Sequence, residues 1–248
     1  MTSKTNVHIF ERVQQLNESA AELIVKLSKK AISERNRFCI SLSGGETPRK
    51  LYAILASEKF RERIDWQNTH VFWGDERCLP LEDERNNAHE SRLILLDKIN
   101  IPSENIHIIP VNLSPAEAAA TYENEIASFF GNQPIQLDLM LLGLGANGHT
   151  ASLFPHTDVL NESTPGVKAI YLKDQNMFRI TMTAPLINNS RVILFLVTGK
   201  EKAETVKSVL EGAYLPEHYP AQLITNKTAE LNWFMDKDAA SLLKPENL

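Results

Sequence analysis

The sequence predicts an α/β fold organised around a mostly parallel sheet. Short apolar runs alternate with helix-patterned segments along most of the 248 residues, the order that successive βα units impose. One run, Leu137 to Leu142 (LDLMLL), is apolar at nearly every position, as a strand buried on both faces must be. Three loops rich in glycine or charge each follow a predicted strand directly. In open parallel sheets the ligand lies there, beyond the carboxyl ends of the strands.

Each element has its own reason. Glu11 to Asn36 places Val13, Leu16, Ala20, Leu23, Ile24, Leu27 and Ala31 on one helical face. Phe38 to Ser43 reads as a strand that turns at Gly44-Gly45. Thr47 then reads as the N-cap of a second helix, with Pro48 at its first position. His70 to Trp73 is a brief strand ending at Gly74-Asp75, and Asn86 to Ile99 is helix-patterned. Ile106 to Val111 reads as a strand. Ser114-Pro115-Ala116-Glu117 is a capping box opening a helix to about Phe129. After Leu137 to Leu142, three further strands are expected at Val167 to Leu172, Phe178 to Thr183 and Arg191 to Val197. Lys200 to Leu210 reads as a helix and Ala221 to Ile224 as a last short strand. There is no repeat, low-complexity segment or linker, so residues 1–248 are expected to form a single domain.

Composition narrows the function. With 43% hydrophobic and 23% charged residues the chain can bury a core without staples. The net charge of −5 gives no reason to expect nucleic acid, and an anionic ligand needs a local basic cluster. Of two cysteines, Cys39 lies in an apolar run and reads as a small buried hydrophobe. Cys78 follows a charged triplet, and the pair suggests neither a disulfide framework nor a metal site. No apolar h-region opens the chain and no run of about 18 apolar residues occurs, so a cytoplasmic setting without a membrane partner is expected.

The loops hold the chemistry. Ser41 to Lys50 (SLSGGETPRK) joins a strand, two glycines and a helix start, a ready anion cradle, or else a plain tight turn. Asp75-Glu76-Arg77 at a strand end can serve acid–base chemistry or a surface ion-pair cluster. Gly143-Leu144-Gly145-Ala146-Asn147-Gly148 matches G-x-G-x-x-G. As a dinucleotide fingerprint it is weak: it lies mid-chain, and Lys168 occupies the region where an acidic residue is expected. His149 follows it directly. Arg179, Thr181 and Thr183 share one strand face, and Gly199-Lys200-Glu201-Lys202 opens a helix at a strand end; both can supply cations to a phosphate. No G-x-S-x-G and no H-E-x-x-H occur, which argues against an elbow serine hydrolase and a protein-built zinc site.

Taken together these residues resemble the 6-phosphogluconolactonase family across nearly the whole chain, in order. The motifs are Ser43-Gly44-Gly45-x-Thr47-Pro48, then Asp75-Glu76-Arg77-Cys78-x-Pro80 with Asn87 downstream, then Gly143-x-Gly145-x-Asn147-Gly148-His149-Thr150-Ala151-Ser152-Leu153-Phe154-Pro155. Arg179-x-Thr181-x-Thr183 and Gly199-x-x-Lys202 complete them. The resemblance implies a Rossmann-like sheet with helices on both faces, shared with glucosamine-6-phosphate deaminases and ribose-5-phosphate isomerases, and no nucleotide or other cofactor. It implies hydrolysis of 6-phospho-D-glucono-1,5-lactone in the pentose phosphate pathway by a monomer or homodimer. The glycines then serve to present His149.

On that reading His149 is the general base, with Asn147 and Asp75 beside it in the catalytic set. Gly44, Gly45, Thr47, Arg77, Arg179 and Lys202 bind the substrate, Arg179 and Lys202 foremost at the phosphate. Asn147 stands where the family motif usually has aspartate. Its amide oxygen can accept a bond from the imidazole but offers no charge, so a lowered His149 pKa is expected. The deaminases carry a glutamate five residues past the histidine, where this chain has Phe154. Two alternatives stay open: a deaminase-like isomerase, and a non-catalytic sugar-phosphate binder.

Overall fold

Six strands assemble into one parallel sheet. In the computed structural model, residues 5–225 and 230–244 are described. The sheet holds β1 (Thr5–Phe10), β2 (Phe38–Leu42), β3 (Thr69–Trp73), β5 (Leu139–Leu142), β8 (Val192–Val197) and β9 (Glu230–Asp236), in the order β1-β9-β8-β5-β2-β3. Every neighbouring pair is parallel. The central strands β2, β5 and β8 are buried at every residue, which is why their sequences are continuous apolar runs rather than alternating ones.

The connections follow from handedness. From β1 through α1 (Val13–Arg35) to β2, and through α2 (Glu46–Leu55) to β3, the chain steps one way across the sheet. From β5 to β8, and through α6 (Ala203–Glu211) to β9, it steps the other way. Right-handed crossovers therefore put α1 and α2 on one face and α6 on the other. The order reverses between β2 and β5, which makes the crevice beyond their carboxyl ends the topological switch point.

A second sheet closes one side of that crevice. β4 (Asp75–Arg77), β7 (Met177–Met182) and β6 (Val167–Leu172) form a three-stranded antiparallel sheet in the order β4-β7-β6. Gly74 is the joint. Its N–H donates to the Leu42 carbonyl (3.2 Å) in the large sheet, and its carbonyl accepts from Met182 N–H (2.8 Å) in the small one. The chain thus leaves β3 and enters β4 within one residue. α3 (Asn87–Ile94), α4 (Pro115–Phe130) and α5 (Ala184–Asn188) complete the fold. Glu117 accepts the Ser114 N–H at 3.2 Å, which closes the capping box at the start of α4.

Several sequence expectations need correction. Thr47 is not the N-cap of α2. The helix begins at Glu46 behind Gly45, whose φ of 107° only a residue without Cβ adopts without strain, and the Thr47 hydroxyl meets Thr198 Oγ1 at 2.8 Å. Residues 106–111 form no strand. A single parallel bridge joins Ile106 to Val71, and the proline at position 110 cannot donate to a ladder. The segment at 221–224 is a 3₁₀ turn, Pro220–Leu223, and the last strand lies beyond it at β9. β1 and β9 were not anticipated: β1 is an edge strand of mixed polarity, and the polar Asn232 and Asp236 interrupt β9. β6 and β7 are strands but belong to the small sheet. The expected helix at 86–99 ends at Ile94 and continues as a 3₁₀ turn, and α6 is likewise preceded by one at Lys200–Lys202.

Candidate active site

A cavity of about 640 Å³ opens at the switch point. The loop after β2 brings Gly44, Gly45 and Thr47; β4 brings Asp75 and Arg77; the loop after β5 brings Gly143, Gly145 and His149. β7 brings Arg179, the segment after β8 brings Thr198 and Lys202, and the end of β9 brings Asp236. Of the nine residues read from sequence as the site, eight line this cavity. The exception, Asn147, reaches it through His149.

The glycine-rich loop is shaped around the imidazole. A Cβ on Gly145 would lie 2.0 Å from both Cε1 and Nδ1 of His149, so only glycine leaves room for the ring. Gly145 N–H donates to the His149 carbonyl (2.8 Å) and Gly148 N–H to the Gly145 carbonyl (2.9 Å), closing the loop on itself. Gly148 has a φ of 78°, and a Cβ there would meet Tyr219 Cα at 2.9 Å. The glycines thus serve histidine placement and tight packing.

His149 is oriented by Asn147. Asn147 Oδ1 accepts the His149 backbone N–H at 3.3 Å, so the nearby amide atom is the oxygen. The same oxygen lies 2.5 Å from Nδ1. An amide oxygen only accepts, so Nδ1 carries the proton and Nε2 holds the free lone pair. The ring stacks on Phe154, with centroids 4.0 Å apart and planes 15° from parallel. Burial pushes the His149 pKa down from 6.5 to about 4, and Arg179, Lys202 and Arg77 add to the effect. The direction is the one expected from Asn147, but its leading cause is burial, followed by cations.

Arg77 and Arg179 sit directly opposite each other on β4 and β7. Like charges in that register repel unless an anion lies between them. Arg77 donates to the Arg85 carbonyl at 2.5 Å, and Arg179 to Gln175 Oε1 at 2.5 Å. Arg179 is buried, and its Nε has no partner among the described residues. Lys202 completes a three-cation wall.

The acidic pair divides its work. Asp75 faces the cavity, buried, with its Oδ2 accepting the Ser152 hydroxyl at 2.5 Å. Burial raises its pKa, opposed by Ser152, Arg179 and Arg77. Glu76 points the other way, as alternation along a strand requires. It accepts the N–H groups of Asn87 (2.8 Å), Ala88 (2.9 Å) and Arg77 (2.8 Å), and so caps α3. Burial pushes its pKa up to about 7. Neither carboxylate hydrogen bonds to His149 among the described residues, so Asn147 alone of these three orients the ring. The cradle after β2 is pinned by Tyr52, whose hydroxyl accepts Ser43 N–H (2.9 Å) and donates to the Ser43 carbonyl (2.7 Å).

Three participants escaped the sequence reading. Ser152 and Phe154 stood in the motif without roles. Gln175 sits in an exposed turn between β6 and β7, and nothing in the sequence marks it as a partner of Arg179. Among the described residues no group of three or more His, Cys, Asp or Glu side chains is placed to hold a metal ion, and no helix is long and apolar enough to cross a membrane.

A parallel α/β sheet whose switch-point cleft joins one oriented histidine to a wall of cations defines a Rossmann-like fold with a site for an anionic ligand. The chain belongs to the glucosamine-6-phosphate isomerase/6-phosphogluconolactonase family, whose model matches residues 11–233. It is 41% identical over 245 residues to the 6-phosphogluconolactonase of Synechocystis sp., covering 96% of this chain and 98% of that one. The structure of 6-phosphogluconolactonase from Trypanosoma cruzi superposes with a TM-score of 0.86 at 26% identity, covering 98% of both chains. A monomeric glucosamine-6-phosphate deaminase shares the fold, with a TM-score of 0.81 at 24% identity over 96% of this chain and all of that one.

Proposed function

We propose that this chain, as a single domain, is a 6-phosphogluconolactonase that hydrolyses 6-phospho-D-glucono-1,5-lactone to 6-phosphogluconate, with His149 as general base. The observation that carries the reading is one cavity holding a neutral imidazole, oriented by Asn147, beside Arg77, Arg179 and Lys202. The phosphate binds these cations and the Gly44–Thr47 cradle at the start of α2, which registers C1 of the lactone against His149. Nε2 takes a proton from water as its oxygen attacks C1. A backbone N–H of Gly44 or Gly45 stabilises the oxyanion, and the imidazolium returns the proton to the departing ring oxygen as the C1–O bond breaks. A δ-lactone is already activated, so a positioned base worth roughly 10²–10⁴-fold suffices.

The lowered pKa keeps His149 unprotonated and makes it a weaker base than a free imidazole. The ring stays neutral at pH 7, and its conjugate acid is strong enough to protonate an alkoxide. A bound phosphate offsets the three cations and so raises the basicity of His149 in the complex. Both cysteines are unpaired, which supports a reducing, cytoplasmic setting.

The test is the rate of 6-phosphogluconate formation from fresh lactone, less the spontaneous rate, for wild type and His149→Ala. A wild-type rate above background that collapses in His149→Ala is expected. A wild type that binds 6-phosphogluconate but only matches the spontaneous rate would make the chain a sugar-phosphate binder. Turnover of glucosamine 6-phosphate in its place would make it an isomerase.

A further inference from the structure

We propose that Phe154 is a positioning residue for lactone hydrolysis: its ring is the flat wall that sets the plane of the His149 imidazole and keeps bulk water from it. The inference rests on the reading of His149 as the base.

The imidazole is confined on three sides. Asn147 holds Nδ1 at 2.5 Å. Gly145 crowds the Cε1–Nδ1 edge so closely that a single methyl group would collide with it. Phe154 covers a face, stacked at 4.0 Å and 15°. A hydrogen bond at one nitrogen leaves the ring free to rock about that bond; a flat surface against its face stops the rocking. Phe154 is only 9% exposed, yet it lines the cavity, so its ring is a wall of the site rather than a member of the core. Its other neighbour is Arg179, whose guanidinium carbon lies 5.9 Å from the Phe154 centroid. The phenyl ring therefore stacks on His149 and lies within cation–π range of the principal candidate phosphate cation.

The backbone is built to bring residues 149 and 154 face to face. Ala151 takes a φ of 47°, a left-handed conformation that reverses the chain between them. Leu153 N–H donates to the Thr150 carbonyl at 2.9 Å, and the fully buried Leu153 side chain anchors the turn. The Thr157 hydroxyl donates to the Phe154 carbonyl at 2.7 Å. Strain at Ala151 is retained because the turn delivers this ring.

Substituting Phe154 removes no charge from around His149. Arg179 faces it from β7, Arg77 from β4 and Lys202 from the turn before α6. Asp75, Glu46, Lys50, Glu201 and Asp236 complete the charged lining, and none hydrogen bonds to the imidazole among the described residues. A change in His149 titration on substituting Phe154 therefore reports the ring.

The experiment compares wild type, Phe154→Leu and Phe154→Tyr by lactonase kinetics over pH and by NMR titration of His149, assigned through His149→Ala. Phe154→Leu is expected to lose kcat by on the order of 10- to 100-fold with little change in KM, the scale of a misplaced catalytic group. Its His149 midpoint should climb from about 4 toward 6.5 as water enters. Phe154→Tyr, which keeps the ring, should recover most of the loss. Wild-type kcat and titration in Phe154→Leu, or equal damage in both variants, overturns the proposal. Should Phe154→Leu not fold, wild type alone decides: ring protons of His149 without an upfield ring-current shift overturn the stacking. Lactonase activity surviving in His149→Ala instead removes the base assignment, whatever Phe154 does.

Discussion

Placing a carboxylate at position 147 tests the electrostatics of His149 directly. In Asn147→Asp the amide oxygen 2.5 Å from Nδ1 becomes part of an anion, with charge centres about 4 Å apart by ordinary bond geometry. Coulomb attraction at that separation is about 1 kcal/mol in a water-like medium and about 4 kcal/mol at an effective dielectric constant near 20. Asn147 is exposed, so the water-like end applies. About 1 kcal/mol is a little under one pKa unit, which carries His149 from about 4 to roughly 5. The imidazole remains neutral at pH 7 in both proteins. The gain at neutral pH therefore comes only from stabilising the imidazolium as it forms, roughly 2- to 5-fold in kcat. In the acid range the sign reverses, because the base is lost as pH falls through a higher pKa. The assay is initial lactone hydrolysis from pH 4 to 8, with spontaneous loss subtracted and the acid limb fitted for each protein. An acid limb that does not rise in Asn147→Asp refutes the view that a charge placed at position 147 is felt by His149.

Other expectations follow from the same geometry. Gly145→Ala forces its methyl into the His149 ring, so kcat should fall on the order of 10²-fold while the thermal midpoint moves little, since the displaced atoms border a cavity. Arg179→Ala should raise KM by roughly 10- to 100-fold, the worth of a lost charge-assisted contact, measured by saturation kinetics. The acid limb of kcat should lie above that of kcat/KM, because bound phosphate offsets the cations around His149; coincident limbs would count against phosphate binding beside the base. Glu76→Ala strips three N–H groups at and beside the start of α3 of their acceptor and should cost about 1–3 kcal/mol, read from denaturant unfolding at pH 6. His70 and His149 both have pKa values lowered to about 4, so the unfolded chain binds more protons between about 4 and 6.5. Their contribution to stability should be fully present above about 6.5 and be lost as pH falls toward 4; Glu76, raised to about 7, opposes it over that range, so the histidine part is read as the difference in thermal midpoint between wild type and His70→Phe across pH.

Much of the site was legible because its residues are local to strand ends. His149 beside its glycines, Asp75 and Arg77 after a short strand, and Lys202 after Gly199 each declare themselves within a few positions. The opposition of Arg77 and Arg179 was not legible, since it depends on the register of two strands about a hundred residues apart. Nor was the division between Asp75 and Glu76: adjacent acids look alike until the strand assigns one face to the cavity and the other to α3. The same limit hid β1 and β9, whose polar positions break the apolar run of a buried strand, and misplaced the cap of α2 by two residues.

By itself the sequence determined the alternation of strands and helices, the parallel sheet, and the strand-end loops with the histidine they present. These follow from side-chain hydrophobicity and backbone freedom, which act over a turn or a strand. Tertiary structure alone decided which side chains meet. Glycine at 145 admits the imidazole, Phe154 covers it, and burial rather than any neighbour in sequence sets its basicity, because desolvation and opposed charges depend on what lies across space, not along the chain.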